Sequence, residues 1–186
     1  MSTAALQLFF VLLAVFVNAA TVLFVTTLVF RRTGWGRVVL TTFAPFALPL
    51  AFLVSLTATA GSLWFSEAVG FVPCRLCWYQ RIVVFPLPLL LGAMTMRRDL
   101  RAARYVLPVT LVGAMVSLYH WLVERVPALS GATSCAVDVP CSVPWFTEFG
   151  FVTLAWMALS TLTFVAVAIL AGNAGAAATS TAEPSS

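Results

Sequence analysis

Apolar residues run along this chain in long unbroken blocks. They show neither the alternation of a half-buried strand nor the single stripe of a soluble amphipathic helix. A helix that crosses a bilayer needs about 20 consecutive apolar residues. Five blocks reach that length, over about Ala4–Phe30, Val38–Trp64, Leu76–Met96, Tyr105–Val123 and Phe149–Leu170. Short polar segments separate them, and no internal repeat or separate soluble domain lies between. The pattern predicts an all-α membrane protein. Residues 172–186 are small and polar and read as a disordered tail.

Composition strengthens the membrane reading. The 186 residues are 62% hydrophobic and only 9% charged, with a mean hydropathy of +1.04. A soluble domain carries roughly a quarter charged residues. The net charge of +4 does not indicate nucleic acid. All ten basic residues are arginine, and seven fall in two connections: Arg31, Arg32 and Arg37 between the first two blocks, and Arg97, Arg98, Arg101 and Arg104 between the third and fourth. Short arginine-rich connections stay on the cytoplasmic side. The N-terminus and the connections Glu67–Pro73 and Arg125–Glu148 then face outside, and the C-terminal tail faces inside. Three features speak against a cleaved signal peptide at the first block. No basic residue precedes it, it is too long, and no clear small-x-small site follows.

Under this topology all four cysteines, Cys74, Cys77, Cys135 and Cys141, face the oxidising compartment, where disulfides persist. Cys74 and Cys77 follow Pro73 at the mouth of the third block. Pro73 suits a helix entry, so the pair sits in a first turn, where unpaired N–H groups and the helix dipole favour a thiolate. Positions 74, 77 and 81 share one helix face. Arg81 is therefore placed to stabilise a thiolate or a negatively charged acceptor, and an ionisable group within a span is usually functional. Trp78 and Tyr79 read as an interfacial aromatic belt, and Gln80 is undecided. A static staple is a poor reason for so small a ring. The spacing of the second pair does not resemble a common zinc knuckle, so no metal is expected.

Cys135 and Cys141 lie in a Gly-, Ser- and Pro-rich loop with five residues between them. A disulfide there closes a small loop worth roughly 2 kcal/mol. Small exposed disulfides tend to be labile, so two dithiols on one face suggest a relay. The spans hold no haem ligand pairs and no glycine-rich nucleotide loop. A small lipid-soluble two-electron acceptor, such as a quinone, is the natural sink. Two other readings stay open: a thiol reductase running in the opposite direction, and a non-catalytic scaffold braced by two disulfides.

The run Cys74-Arg75-Leu76-Cys77-Trp78-Tyr79-Gln80-Arg81, at the outer start of a span and followed by a second outer cysteine pair, resembles the DsbB family of disulfide bond formation proteins. The resemblance covers roughly Val38 to Leu170. It implies a four-helix transmembrane bundle and a thiol:quinone oxidoreductase of the cell (inner) membrane. Such an enzyme reoxidises a DsbA-like thioredoxin-fold partner and passes the electrons to ubiquinone or menaquinone. By resemblance, Cys77 lies beside the quinone as the thiolate that meets it, and Arg81 holds and polarises it. Cys74 exchanges with Cys141, Cys135 takes the mixed disulfide with the partner, and His120 lies on the quinone side. His120 is equally readable as an interfacial histidine paired with Glu124 at i+4. Two departures stand out. There is an extra N-terminal span, and the loop cysteines are unusually close. The expected layout is residues 1–37 as an extra helix with an arginine-rich linker, 38–171 as the redox bundle and 172–186 as a cytoplasmic tail.

Overall fold

The computed structural model describes residues 3–130, 135 and 139–180. The described residues are helical, with no strand beyond an isolated bridge between Glu148 and Val152. In chain order the helices are α1 (Thr3–Val29), α2 (Gly34–Phe43), α3 (Ala47–Leu63), α4 (Arg75–Val84), α5 (Pro86–Arg97), α6 (Leu107–Arg125), α7 (Pro127–Ser130) and α8 (Leu154–Ser180). Prolines set several of the breaks, because proline has no N–H to donate to the preceding turn. Pro45 sits in the 3-10 turn between α2 and α3, and Pro86 begins α5 at once after α4. Joined across these breaks, five segments are long and apolar enough to cross a membrane: Thr3–Val29, Gly34–Ala68, Arg75–Arg97, Ala102–Arg125 and Leu154–Ser180. The protein is therefore a multi-pass, all-α membrane protein, with each expected span present.

Helix α8 is the centre of the bundle, packed against α1, α2, α3 and α6. Between membrane helices lipid supplies no hydrophobic drive, so close packing of small residues and interhelical hydrogen bonds carry the association. The buried face of α8 follows that rule, with Ala155, Ser160, Ala168, Ala171, Gly172 and Gly175. At Gly175 the backbone meets the Leu40 carbonyl of α2 so closely that any Cβ would overlap it. A Gly175→Val variant is expected to lose about 1–3 kcal/mol, the usual cost of overpacking. Thermal unfolding in detergent would show it as a lowered midpoint.

Two expectations change. The segment from Gly172 is not structureless: α8 continues to Ser180, and residues 181–186 lie outside the described residues. Alanine has the highest helix propensity, and Gly172 and Gly175 let this alanine-rich turn pack against Ala47 and Leu40. The last span also begins at Leu154, not near Phe149. Phe149 and Gly150 both take positive φ in a turn that precludes helix there.

The extra helix α1 is not a loose appendage. Its buried positions Val11, Ala14, Val17, Thr21, Phe24 and Thr27 recur at helical spacing, and it packs on α8 and α2. Within the apolar bundle Asn18 Nδ2 donates to Ser160 Oγ of α8 at 2.8 Å. Nearer the chain's start, Gln7 Nε2 donates to Glu148 Oε1 at 3.0 Å. The connectivity places the two arginine-rich connections at one end of the bundle and the cysteines at the other.

Candidate active site: two cavities that share Cys77

Cys74 is the N-cap of α4, one residue outside the span. Its extended backbone lets Sγ accept the Cys77 N–H at 3.3 Å, where a capping oxygen would ordinarily sit. The Cys77 thiol lies 2.9 Å from the same sulfur, and His120 Nε2 lies 3.6 Å from it across the α4–α6 contact. The Cys77 thiol donating to it is the largest influence, and burial opposes it. The His120 ring and the Cys77 N–H add to the lowering, and together they bring the Cys74 thiol down to about 4. At neutral pH the negative charge therefore sits on Cys74. The sign follows directly. The thiolate is present above that value and lost as pH falls through it. Alkylation of Cys74 in the reduced protein should hold its rate from neutral pH down to about 5 and fall near 4. A rate that climbs through pH 8, as an ordinary thiol's does, would contradict this.

Cys135 and Cys141 form a disulfide with Cα atoms 6.0 Å apart. The loop does reach the helix pair. Cys74, Leu76, Val123 and Cys141 form one buried cluster, with Cys77, Leu129, Cys135 and Val139 packed against it. The two ends of the loop pair differ: Cys141 is 2% exposed, and Cys135 is only partly buried. Residues 131–134 and 136–138, Asp138 among them, lie outside the described residues.

Two cavities meet at Cys77. The first, of about 320 Å³, lies among α1, α3, α4 and α8, with Cys77, Gln80 and Arg81 at its cysteine end and aliphatic residues such as Val17, Leu50 and Val84 further in. The second, of about 280 Å³, is lined by Cys74, Cys77, His120, Glu124 and Cys141. Cys77 is the one cysteine that borders both. Phe65, Phe71 and Trp145 line the first cavity at the cysteine end. They stack on one another, Phe65 on Phe71 at 5.7 Å and Phe71 on Trp145 at 4.8 Å. Trp145 Nε1 donates to the Val72 carbonyl at 3.3 Å. These contacts fasten the segment after the loop pair over the cavity.

Arg81 is held in place. Nε donates to Ser62 Oγ at 3.1 Å, and a terminal nitrogen donates to the Ser62 carbonyl at 2.9 Å. Its guanidinium also lies 5.5 Å from the Trp78 ring and 5.6 Å from the Phe85 ring. No carboxylate pairs with it among the described residues. Gln80 is buried, and its Nε2 has no hydrogen-bond partner. A buried amide without a partner is costly, and this one borders the first cavity. Gln80 was undecided in the sequence, because its side depends on where α4 meets its neighbours. Ser62 carries no signal in the sequence, and Glu124 enters there only as the i+4 neighbour of His120.

His120 lies beside the cysteine pair, 3.6 Å from Cys74 Sγ. It borders the second cavity and not the first. Its ring is 3% exposed, and Nε2 lies 3.8 Å from Glu124 Oε1, the i+4 neighbour. Glu124 Oε2 accepts from Thr153 Oγ1 at 2.6 Å. The physical reason is the crossing of α6 over α4, which turns this face of α6 toward the helix N-cap. Cys74, Cys77 and His120 also bring their ligand atoms within 4.8 Å of one another, a grouping that the cysteine spacing did not foretell.

Residues 44–174 match the family model described as disulfide bond formation protein DsbB. The chain is 47% identical over 109 residues to disulfide bond formation protein C of Bacillus subtilis (strain 168), covering 59% of this chain and 79% of that one. It is 44% identical over 124 residues to probable disulfide formation protein C 1 of Bacillus anthracis, covering 67% and 88%. A probable disulfide formation protein of Coxiella burnetii (strain CbuK_Q154) is 36% identical over 115 residues, covering 61% and 78%. No solved structure matches the chain significantly. The match begins after α1 and α2, takes in both cysteine pairs, and ends within α8. The chain belongs to the DsbB family and is a membrane protein of disulfide bond formation.

Proposed function

We propose that this chain oxidises a thioredoxin-like dithiol partner on the extracytoplasmic face of the cell membrane and passes the electron pair to a membrane quinone. The observation that carries the reading is the place of Cys77, between an apolar cavity bearing Arg81 and Gln80 and a second cavity holding Cys74 and Cys141. The first cavity fits a quinone head group. Its walls are apolar, and at one end it offers an unpartnered amide and a cation that no carboxylate among the described residues pairs with, both donors to carbonyl oxygens. When bound there, a quinone supplies the acceptor for two electrons and two protons.

The protein's own steps are thiol exchanges, and they balance. The partner's thiolate attacks Cys135, the more accessible end of the loop disulfide, and releases Cys141 as a thiolate. Cys141 attacks Cys74 of the oxidised Cys74–Cys77 disulfide within their shared cluster, breaking that bond and releasing Cys77 as a thiolate in the cavity with Arg81. The partner's second thiol then frees Cys135 and leaves as half of the partner's new disulfide. Cys135 attacks Cys141, restoring the loop pair and leaving Cys74 as the thiolate. The net result is an oxidised partner and a reduced Cys74/Cys77 pair. His120 and Glu124 border this cavity and serve as the nearest proton acceptors. A stabilised Cys74 thiolate stabilises the reduced pair, which makes the oxidised pair a strong oxidant. That property drives electrons from the partner inward.

Trapping thiols in growing cells with a bulky maleimide tests the direction. The loop pair should be protected almost completely, and the helix pair should shift toward the dithiol when quinone is depleted. Both pairs found mostly reduced with quinone present would instead assign a reductase.

A further inference from the structure

The N-terminal helix lies outside the stretch that matches the family, yet it forms one wall of the cavity that Cys77 and Arg81 border. Phe10, Leu13, Ala14, Phe16 and Val17 all line it. From Phe10 to Val17 is about 10 Å along a helix rising 1.5 Å per residue, so α1 borders the cavity from the cysteine end well toward the interior. The wall is anchored at both ends of this stretch. The Phe10 ring lies over Gly61 of α3, where any Cβ would come within 2.9 Å of it, and within 5.7 Å of Phe65. Asn18 is tied to Ser160 of α8, itself a lining residue.

Exposure shows where the cavity opens. Trp145 is exposed at the cysteine end, at 47%, and two further lining residues face outward, Phe16 of α1 at 70% and Leu53 of α3 at 52%. Both lie away from the cysteine end, at the depth where spanning helices meet lipid tails. Ala14, one turn from Phe10 on the same wall, is buried.

From these placements we infer that α1 is a specificity element of the quinone site. It closes the side of the cavity and forms, with α3, a lateral portal through which the quinone's isoprenoid tail leaves toward the bilayer. The inference rests on the quinone reading. The polar end of the cavity, with Gln80 and Arg81, takes the head group. The aliphatic wall from Leu13 to Val17 takes the first part of the tail. The chain thus selects quinones by tail as well as by head group.

Full-length protein in nanodiscs, assayed with a decyl-substituted quinone and with the same ring lacking a tail, tests this. An Ala14→Phe variant narrows the tail channel. It should raise KM for the decyl quinone about tenfold, change KM for the tail-less ring far less, and leave KM for the thiol partner unaltered. A folded Ala14→Phe protein with both quinone KM values unchanged overturns the inference. Should that variant fail to fold, a quinone bearing a photoreactive azide on its tail decides the matter with the unaltered chain. Label on the α1 peptide containing Leu13–Val17 supports the portal, and label confined to α3 and α8 overturns it. An unaltered chain that reduces neither quinone overturns the quinone reading itself, and the inference with it.

Discussion

A Cys77→Ser variant should lose quinone reduction by on the order of 10⁴-fold or more, as the loss of a covalent nucleophile does in other enzymes. Cys77 is the sole cysteine bordering the cavity with Arg81 and Gln80, so no neighbouring thiol can substitute for it. The same variant should accumulate a second signature. With Cys77 absent, Cys74 has no partner on its own helix, and its thiolate can attack Cys141 in the same buried cluster and release Cys135 as a thiolate. A stable Cys74–Cys141 disulfide should then appear on peptide mapping under non-reducing conditions. Persistent quinone reduction by Cys77→Ser would mean that the electrons leave by another route.

The second large effect belongs to Cys141→Ser, which cuts the relay between the loop and the helix. Turnover driven by a thioredoxin-like dithiol should fall to background. Quinone reduction driven by a small dithiol such as dithiothreitol should stay within a few-fold, because the second cavity admits a small reagent to Cys74 directly. Cys135, left as a free thiol, should attack the disulfide of an oxidised partner, release one partner thiol and hold the partner as a mixed disulfide, with its resolving neighbour gone. The contrast between the two reductants separates a relay from a loop disulfide that merely braces the fold. A bracing disulfide would lower both activities together through lost stability.

Much of this arrangement was readable in the sequence, for reasons specific to each part. The five spans were legible because bilayer thickness imposes a length that apolar blocks such as Thr3–Val29 plainly satisfy. The face holding Cys74, Cys77 and Arg81 was legible because helical spacing fixes it locally, and Cys77 and Arg81 do border one cavity. Cys74 turned out to be the N-cap itself, so its sulfur takes the helix's unpaired N–H directly.

What the sequence concealed depends on how helices cross. His120 faces Cys74 because α6 packs on α4, and no spacing along α6 carries that information. Gln80 points at a cavity whose other walls come from α1, α3 and α8. Helix α8 outran its expected end because Gly172 and Gly175 permit close packing, whereas hydropathy alone marks that turn as weakly apolar. The reach of the loop was also hidden. The spacing of Cys135 and Cys141 does not say which of them is buried with Cys74, and only the family resemblance pointed to Cys141.

The central claim is that electrons travel from a soluble dithiol through both cysteine pairs to a quinone. One measurement addresses it directly: purified full-length protein in nanodiscs, a reduced thioredoxin-like protein in excess, and a soluble quinone followed by its absorbance. The account predicts catalytic loss of quinone with one partner disulfide formed per quinone reduced, and none of it with Cys77→Ser or Cys141→Ser. Partner oxidation that proceeds without consuming quinone, or a stoichiometry that both variants leave untouched, would contradict it.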